Sequence, residues 1–185
     1  MSTVVDDCSR FILAWRLSQG MSADEVKLTL EEAILFTGIR QGKILRRPRL
    51  LSDNGPCYIA KALSEYLDEE GIGHTRGKPY HPMTQGKIER YHRSMKNLIL
   101  LDHYYSPSEL EGQIRIFVDY YNHDRYHEAL KNVTPADMYY GRDREILQRR
   151  EQIKQKTMIV RAKQNRGLSL AEKTKKVYLD AKTIS

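Results

Sequence analysis

Short apolar runs and amphipathic stretches alternate along this chain. Thr3-Val4-Val5 is β-prone, Asp6-Asp7-Cys8-Ser9 has turn composition, and Phe11-Ile12-Leu13-Ala14-Trp15 is a second apolar run. Residues 3–17 therefore predict a β-hairpin. Ser22-Ala23-Asp24-Glu25 has the form of a capping box. Val26, Leu30, Ala33 and Ile34 follow at helical spacing and Gly38 is a natural stop, so a helix is expected over 23–37. Gly42 to Pro48 is a basic loop. Arg49 to Asp53 predicts a short apolar strand of the kind buried on both faces in a parallel sheet.

Pro56 opens a helix expected over 57–70, with Ala60, Leu63 and Leu67 on one face and Gly71 ending it. A short strand over 72–75 and a Gly/Pro-rich loop over 77–86 follow. The next helix, 86–102, carries Ile88, Tyr91, Met95, Leu98 and Ile99 as its apolar stripe. Glu89, Arg93 and Lys96 fall together on another face. A second capping box, Ser106 to Glu109, begins a helix reaching about Asn122, and Thr134-Pro135 caps a short helix ending near Gly141. Beyond it, helix is expected to about 156. The pattern describes an α/β domain over 1–141 and an extension over 142–185.

Composition changes this picture in one place. The 185 residues are 40% hydrophobic and 30% charged, enough for one packed domain. The net charge of +7 is concentrated in the extension: residues 1–141 hold 18 Lys+Arg and 19 Asp+Glu, whereas 142–185 hold 13 and 5. Such a segment suits a polyanion by counterion release, or serves solubility alone. No apolar run has the length to span a bilayer, and the N-terminus lacks the basic-then-apolar layout of an export signal. Cys8 and Cys57 have no ligand spacing and are expected reduced and partly buried, in a cytoplasmic protein.

The candidate chemistry lies between Asp53 and Glu89, with 35 residues separating them. One acid ends a strand; the other sits early on a helix. Carboxylates on rigid elements that face one cleft can hold divalent metal for phosphoryl transfer. Each acid also has an ordinary use: Asp53 initiates the turn before Gly55, and Glu89 complements a helix N-terminus. Arg93 and Lys96 are candidate phosphate contacts or solvated charges, and Lys78, Lys87 and Arg90 are weaker candidates of the same type. His81 and His92 lie near the acids without zinc spacing. The tyrosine pairs at 104–105, 120–121 and 139–140 fit the edges of a core.

Ser52-Asp53-Asn54-Gly55, with His81-Pro82-Met83-Thr84-Gln85-Gly86-Lys87-Ile88-Glu89-Arg90 at this distance, resembles the second Asp and the Glu of the DDE integrase core. Insertion-sequence transposases and retroviral integrases share that core. The resemblance covers about residues 3–140, and Tyr121-Asn122, Arg125, His127, Leu130 and Thr134-Pro135 extend it. It implies an RNase H-like fold, a mixed sheet flanked by helices. It implies Asp53 and Glu89 as catalytic metal ligands, Mg²⁺ or Mn²⁺ as cofactor, and DNA as substrate. Lys96 would contact the DNA end, and Arg93 would join it.

In that family the first Asp lies on a central strand ahead of the hairpin, between it and the 49–53 strand. Asp6 and Asp7 fall in the hairpin turn, where the family has no ligand. The resemblance thus implies a core lacking its first strand, with a two-metal site incomplete and activity weak or absent in this chain alone. Two readings follow. One is the catalytic core of an insertion-sequence transposase acting in DNA transposition. The other is a non-catalytic DNA-binding or regulatory remnant. Either implies self-association or assembly with full-length transposase, in the cytoplasm at the nucleoid. No helix-turn-helix precedes the core.

Overall fold

The computed structural model describes residues 1–42, 47–77, 86–99 and 104–166. The chain divides into two compact units, Met1–Tyr140 and Gly141–Ser185.

The first unit opens with the expected hairpin. Strand β1 (Ser2–Val5) pairs antiparallel with β2 (Ile12–Arg16), Ser2 opposite Arg16, with a register shift between Val4 and Val5. Asp6 ties the turn: its carboxylate accepts from the Ser9 N–H at 2.7 Å and the Ser9 hydroxyl at 2.6 Å. Cys8 in that turn is exposed, and Cys57 is buried; both are free thiols.

Helix α1 (Ala23–Thr37) starts on the Ser22–Glu25 capping box, with both hydrogen bonds formed, and stops at Gly38 with φ 68°. Val26, Leu30, Ala33 and Ile34 are buried, as their spacing requires.

Strand β3 (Arg49–Ser52) pairs parallel with β4 (Gly73–Arg76). The single helix expected between them is two, α2 (Pro56–Ile59) and α3 (Lys61–Glu69), broken where Ala60 turns extended at φ −57°, ψ 133°. Neither glycine nor proline marks the break. Tertiary packing accounts for it: Cys57 from α2 and Leu63 and Leu67 from α3 all enter one cluster.

Helix α4 (Gly86–Ile99) buries Tyr91 and Met95. Leu98, expected in its apolar stripe, is instead 54% exposed. Residues 100–103 lie outside the described residues. Helix α5 (Pro107–His123) has Ser106 as N-cap, accepting from the Glu109 N–H. The Glu109 carboxylate takes the Tyr105 N–H in place of the Ser106 amide, so only half of the expected box forms. Helix α6 (Pro135–Tyr139) is capped by Thr134.

Two apolar clusters organise this unit. Val26, Leu30, Ile34, Ile39, Cys57, Leu63, Leu67 and Ile72 form one, joined by Val4 and Leu50. Ile12, Tyr91, Met95, Ile114, Phe117, Val118 and Tyr121 form the other, joined by Val5 and Ile88. Consecutive residues of β1, Val4 and Val5, thus reach opposite clusters, as alternating strand side chains do. Among the tyrosine pairs, Tyr121 is buried and Tyr139 stacks on Phe11 at 4.7 Å, whereas Tyr105 is 93% exposed.

The expected mixed sheet is present as two separate ribbons, β1-β2 and β3-β4. Contrary to expectation, β3 is not buried on both faces: Arg49 and Leu51, which share one face, are exposed. In the second unit, helix α7 (Asp143–Arg166) runs ten residues past the expected end and buries none of its residues. Good helix formers, Glu, Gln, Lys and Arg, supply its propensity without an apolar face. Among the described residues no helix is long and apolar enough to cross a membrane.

Candidate active site

Backbone geometry at the end of β3 fixes where Asp53 stands. Its Oδ1 accepts the Gly55 N–H at 2.8 Å, an Asx-turn that swings the chain into α2. Asn54 donates to the Gly77 carbonyl at 2.7 Å, and the Ser52 hydroxyl meets His74 Nε2 at 2.8 Å. Both bonds tie the segment carrying Asp53 to β4. Sequence reasoning passed over His74, because neither its spacing nor its neighbours distinguish it. Burial, aided by Arg76, pushes the His74 pKa down, so its ring is neutral beside Ser52 at neutral pH.

Glu89 stands in the first turn of α4. It and Asp53 line the same cavity, of about 700 Å³, together with β1, β3 and part of α1. Both carboxylates are exposed to solvent. The turn role of Asp53 and its place on the cavity wall coexist, since one oxygen serves the turn. His92, three residues after Glu89, lines the cavity too. Burial lowers its pKa first, and the Lys96 and N-terminal charges lower it further.

Asp6 and Asp7 reach the cavity wall but are engaged locally. Asp6 holds the hairpin turn. Asp7 pairs with Lys87 Nζ at 2.6 Å, which gives Lys87 a partner within the protein. Arg90 Nε donates to the Gly86 carbonyl at 3.0 Å. Arg93 and Lys96 are exposed on α4 and do not line the cavity. Lys78 and His81 lie outside the described residues.

Asn122 has a role that its resemblance to a family pattern did not reveal. Buried at the end of α5, its amide accepts from the Ile12 N–H at 2.9 Å and donates to the Ile12 carbonyl at 3.1 Å. It acts as a one-residue strand against β2. An asparagine directly after the apolar positions Ile114, Phe117, Val118 and Tyr121 was the only sequence signal.

The two carboxylates are the donor type that Mg²⁺ or Mn²⁺ takes. Among the described residues no group of three or more His, Cys, Asp or Glu is placed to hold an ion. The fit therefore extends to donor chemistry and to a shared cavity, and stops short of the ligand count of a two-metal centre.

Two family models, each described as "Integrase core domain", match this chain, one over residues 1–82 and one over residues 70–135. The Gag-Pro-Pol polyprotein of mouse mammary tumor virus is 28% identical over 124 residues, 65% of this chain and 7% of the polyprotein. The chain thus spans less than a tenth of that relative's length. Among solved structures, the simian T-cell lymphotropic virus intasome with PP2A regulatory subunit B56 gamma aligns with TM-score 0.62 and 22% identity. That alignment covers 74% of this chain and 46% of that one. The catalytic core domain of BIV integrase aligns with TM-score 0.52 and 23% identity, over 78% of this chain and 88% of that one. At these identities the structures show the fold: the two ribbons and their helices follow an RNase H-like integrase core. The relatives are retroviral, so the resemblance holds at the breadth of the superfamily. Between them the two models match residues 1–135, so over that stretch this chain is similar to the integrase core domain at the breadth of the retroviral-type integrase superfamily.

Proposed function

We propose that this chain is the core of an enzyme of DNA integration or transposition, of insertion-sequence type, which transfers phosphoryl groups at element ends. The reading is supported by one observation: Asp53, at a strand end, and Glu89, in the first turn of a helix, both line one cavity. Bound there, a divalent ion would lower the pKa of an attacking oxygen and stabilise the leaving one. Asp53 and Glu89 would hold it. Arg93 and Lys96, four and seven residues beyond Glu89, would position the DNA backbone without reading sequence. Helix α7, with eight Lys/Arg against three Asp/Glu, would add affinity of the same kind. Self-association on paired ends belongs to the same reading, as does a place at the nucleoid.

A second reading, a non-catalytic DNA-binding remnant, is favoured by the local engagements of the acids. Asp53 shares an oxygen with its turn, Asp6 holds the hairpin, and Asp7 is paired with Lys87. Both readings expect this chain to bind DNA. They separate on metal-linked DNA binding. With a short fluorescent duplex, the enzyme-core reading expects Mn²⁺ to raise affinity for the natural chain and not for Asp53→Asn or Glu89→Gln. Equal affinity with and without Mn²⁺ would favour the remnant.

A further inference from the structure

Three arginines from three segments gather outside the cavity. Asn122 sets the arrangement: its paired bonds to Ile12 hold the end of α5 against the start of β2. Arg10, two residues before Ile12, and Arg125, three after Asn122, come from the segments that meet there. The Arg125 guanidinium lies over the Tyr121 ring at 5.2 Å, and the His127 ring stands edge-on to Tyr121 at 6.3 Å. Arg90 comes from α4, where its neighbour Tyr91 packs on Tyr121 at 5.3 Å. None of Arg10, Arg90, Arg125 and His127 lines the cavity of Asp53 and Glu89.

Charge at this place is poorly balanced. Asp7 holds Arg10 at 3.7 Å but is shared with Lys87 at 2.6 Å. Arg90 spends its Nε on the Gly86 carbonyl. Among the described residues neither Arg90 nor Arg125 is paired with a carboxylate. Burial first, then Arg125, Arg10 and Arg90, holds the His127 pKa low; the same arginines act on Tyr121, where burial outweighs them. Like charges held together cost free energy that an anion would remove. The backbone is strained at the same spots: Arg10, Lys131 and Asn132 have φ of 66°, 58° and 58°, a region that side chains rarely occupy. The turn made by the latter two fixes His127, whose N–H donates to the Val133 carbonyl and whose carbonyl accepts from the Asn132 N–H. His127 Nδ1 is nevertheless buried without a hydrogen-bond partner among the described residues. A buried ring nitrogen of this kind is costly unless a ligand or solvent atom meets it.

We propose that Arg10, Arg90, Arg125 and His127 Nδ1 form a binding site for a phosphate group of a nucleic acid, separate from Asp53 and Glu89. Guanidinium forks match phosphate oxygens, and here the hairpin turn, α4 and the connector after α5 each supply one. His127, its backbone fixed, would donate from Nδ1 to a further oxygen. Arg90 directly follows Glu89 on α4, so the site would anchor the substrate beside the acids through a phosphate other than the reacting one. The phosphate chemistry rests on the cluster, and the choice of nucleic acid rests on the proposed function.

The test uses the full chain in EDTA. No divalent ion then takes part, so failure here is distinct from failure of Asp53 and Glu89 to bind one. The His127 ring signals are followed by NMR as inorganic phosphate is added at constant ionic strength. Two short duplexes are then added in turn, one with 5′-phosphate and one with 5′-hydroxyl ends. Saturable movement of the His127 signals is expected in the natural chain. In Arg10→Gly and Arg125→Gln the affinity should fall about tenfold, as the loss of one charged hydrogen bond implies. Gly relieves the positive φ at residue 10, and Gln keeps a flat group over Tyr121, so both variants should fold. A larger response to the phosphorylated duplex would assign the site to a strand terminus, and equal responses to the backbone; either supports the proposal. Signals unmoved by every probe, moved by inorganic phosphate alone, or moved with equal affinity in the natural chain and a folded variant would each overturn it.

Discussion

A single hydrogen-bond acceptor decides how Asp53 can be probed without disturbing the fold. A Cβ added at Gly55 would lie 2.9 Å from Asp53 Oδ1, and Gly55 has an ordinary φ of −58°. Gly55→Ala should therefore displace the carboxylate and cost the exposed turn its Gly55 N–H bond, about 0.5–1.5 kcal/mol. The expected outcome is a slightly lowered thermal midpoint with clearly weakened Mn²⁺ binding. Unchanged Mn²⁺ binding would separate Asp53 from any metal. Asn122 gives the opposite kind of test. Asn122→Ala leaves the buried N–H and C=O of Ile12 without their partners, which should cost about 1–3 kcal/mol in urea unfolding. At Lys96, replacement by Ala should weaken duplex binding uniformly across sequences and lower the salt slope by about one. An unchanged slope would leave Lys96 as a solvated charge.

At the scale of elements, local signals were legible wherever the chemistry was local. The Ser22–Glu25 box, the Gly38 stop and the Thr134 cap each involve residues within one turn, and each forms. Asp53 and Glu89 were legible as a pair because their flanking residues mark a strand end and a helix start. The rest was set by distant contacts. The break at Ala60 follows from packing three side chains into one cluster, which no window of sequence contains. Exposure of Leu98 and Leu51 likewise depends on what lies opposite them. The bidentate bond of Asn122 spans 110 residues. Helix α7 was underestimated because apolar periodicity was the guide; it rests on propensity and on short-range pairs such as Glu151 with Lys154 and Gln155.

For the whole molecule, pH reports on the half-buried histidines. Burial, with nearby positive charge, lowers the pKa of His74, His92 and His127 below the ordinary value of about 6.5. Protonation therefore favours the unfolded chain. Their contribution to stability is complete above the ordinary value and is lost as pH falls through the folded values. The thermal midpoint should fall on acidification from neutral pH, before carboxylates titrate; a midpoint flat across that range would contradict these shifts. The central claim is that Asp53 and Glu89 grip the same divalent ion. Titration of Mn²⁺ by electron paramagnetic resonance, on the natural chain, Asp53→Asn, Glu89→Gln and the double variant, tests it directly. The account predicts that either single change removes most of the binding and that the double loses little more, as coupled ligands do. Binding unchanged in both single variants, or losses that simply add, would contradict it.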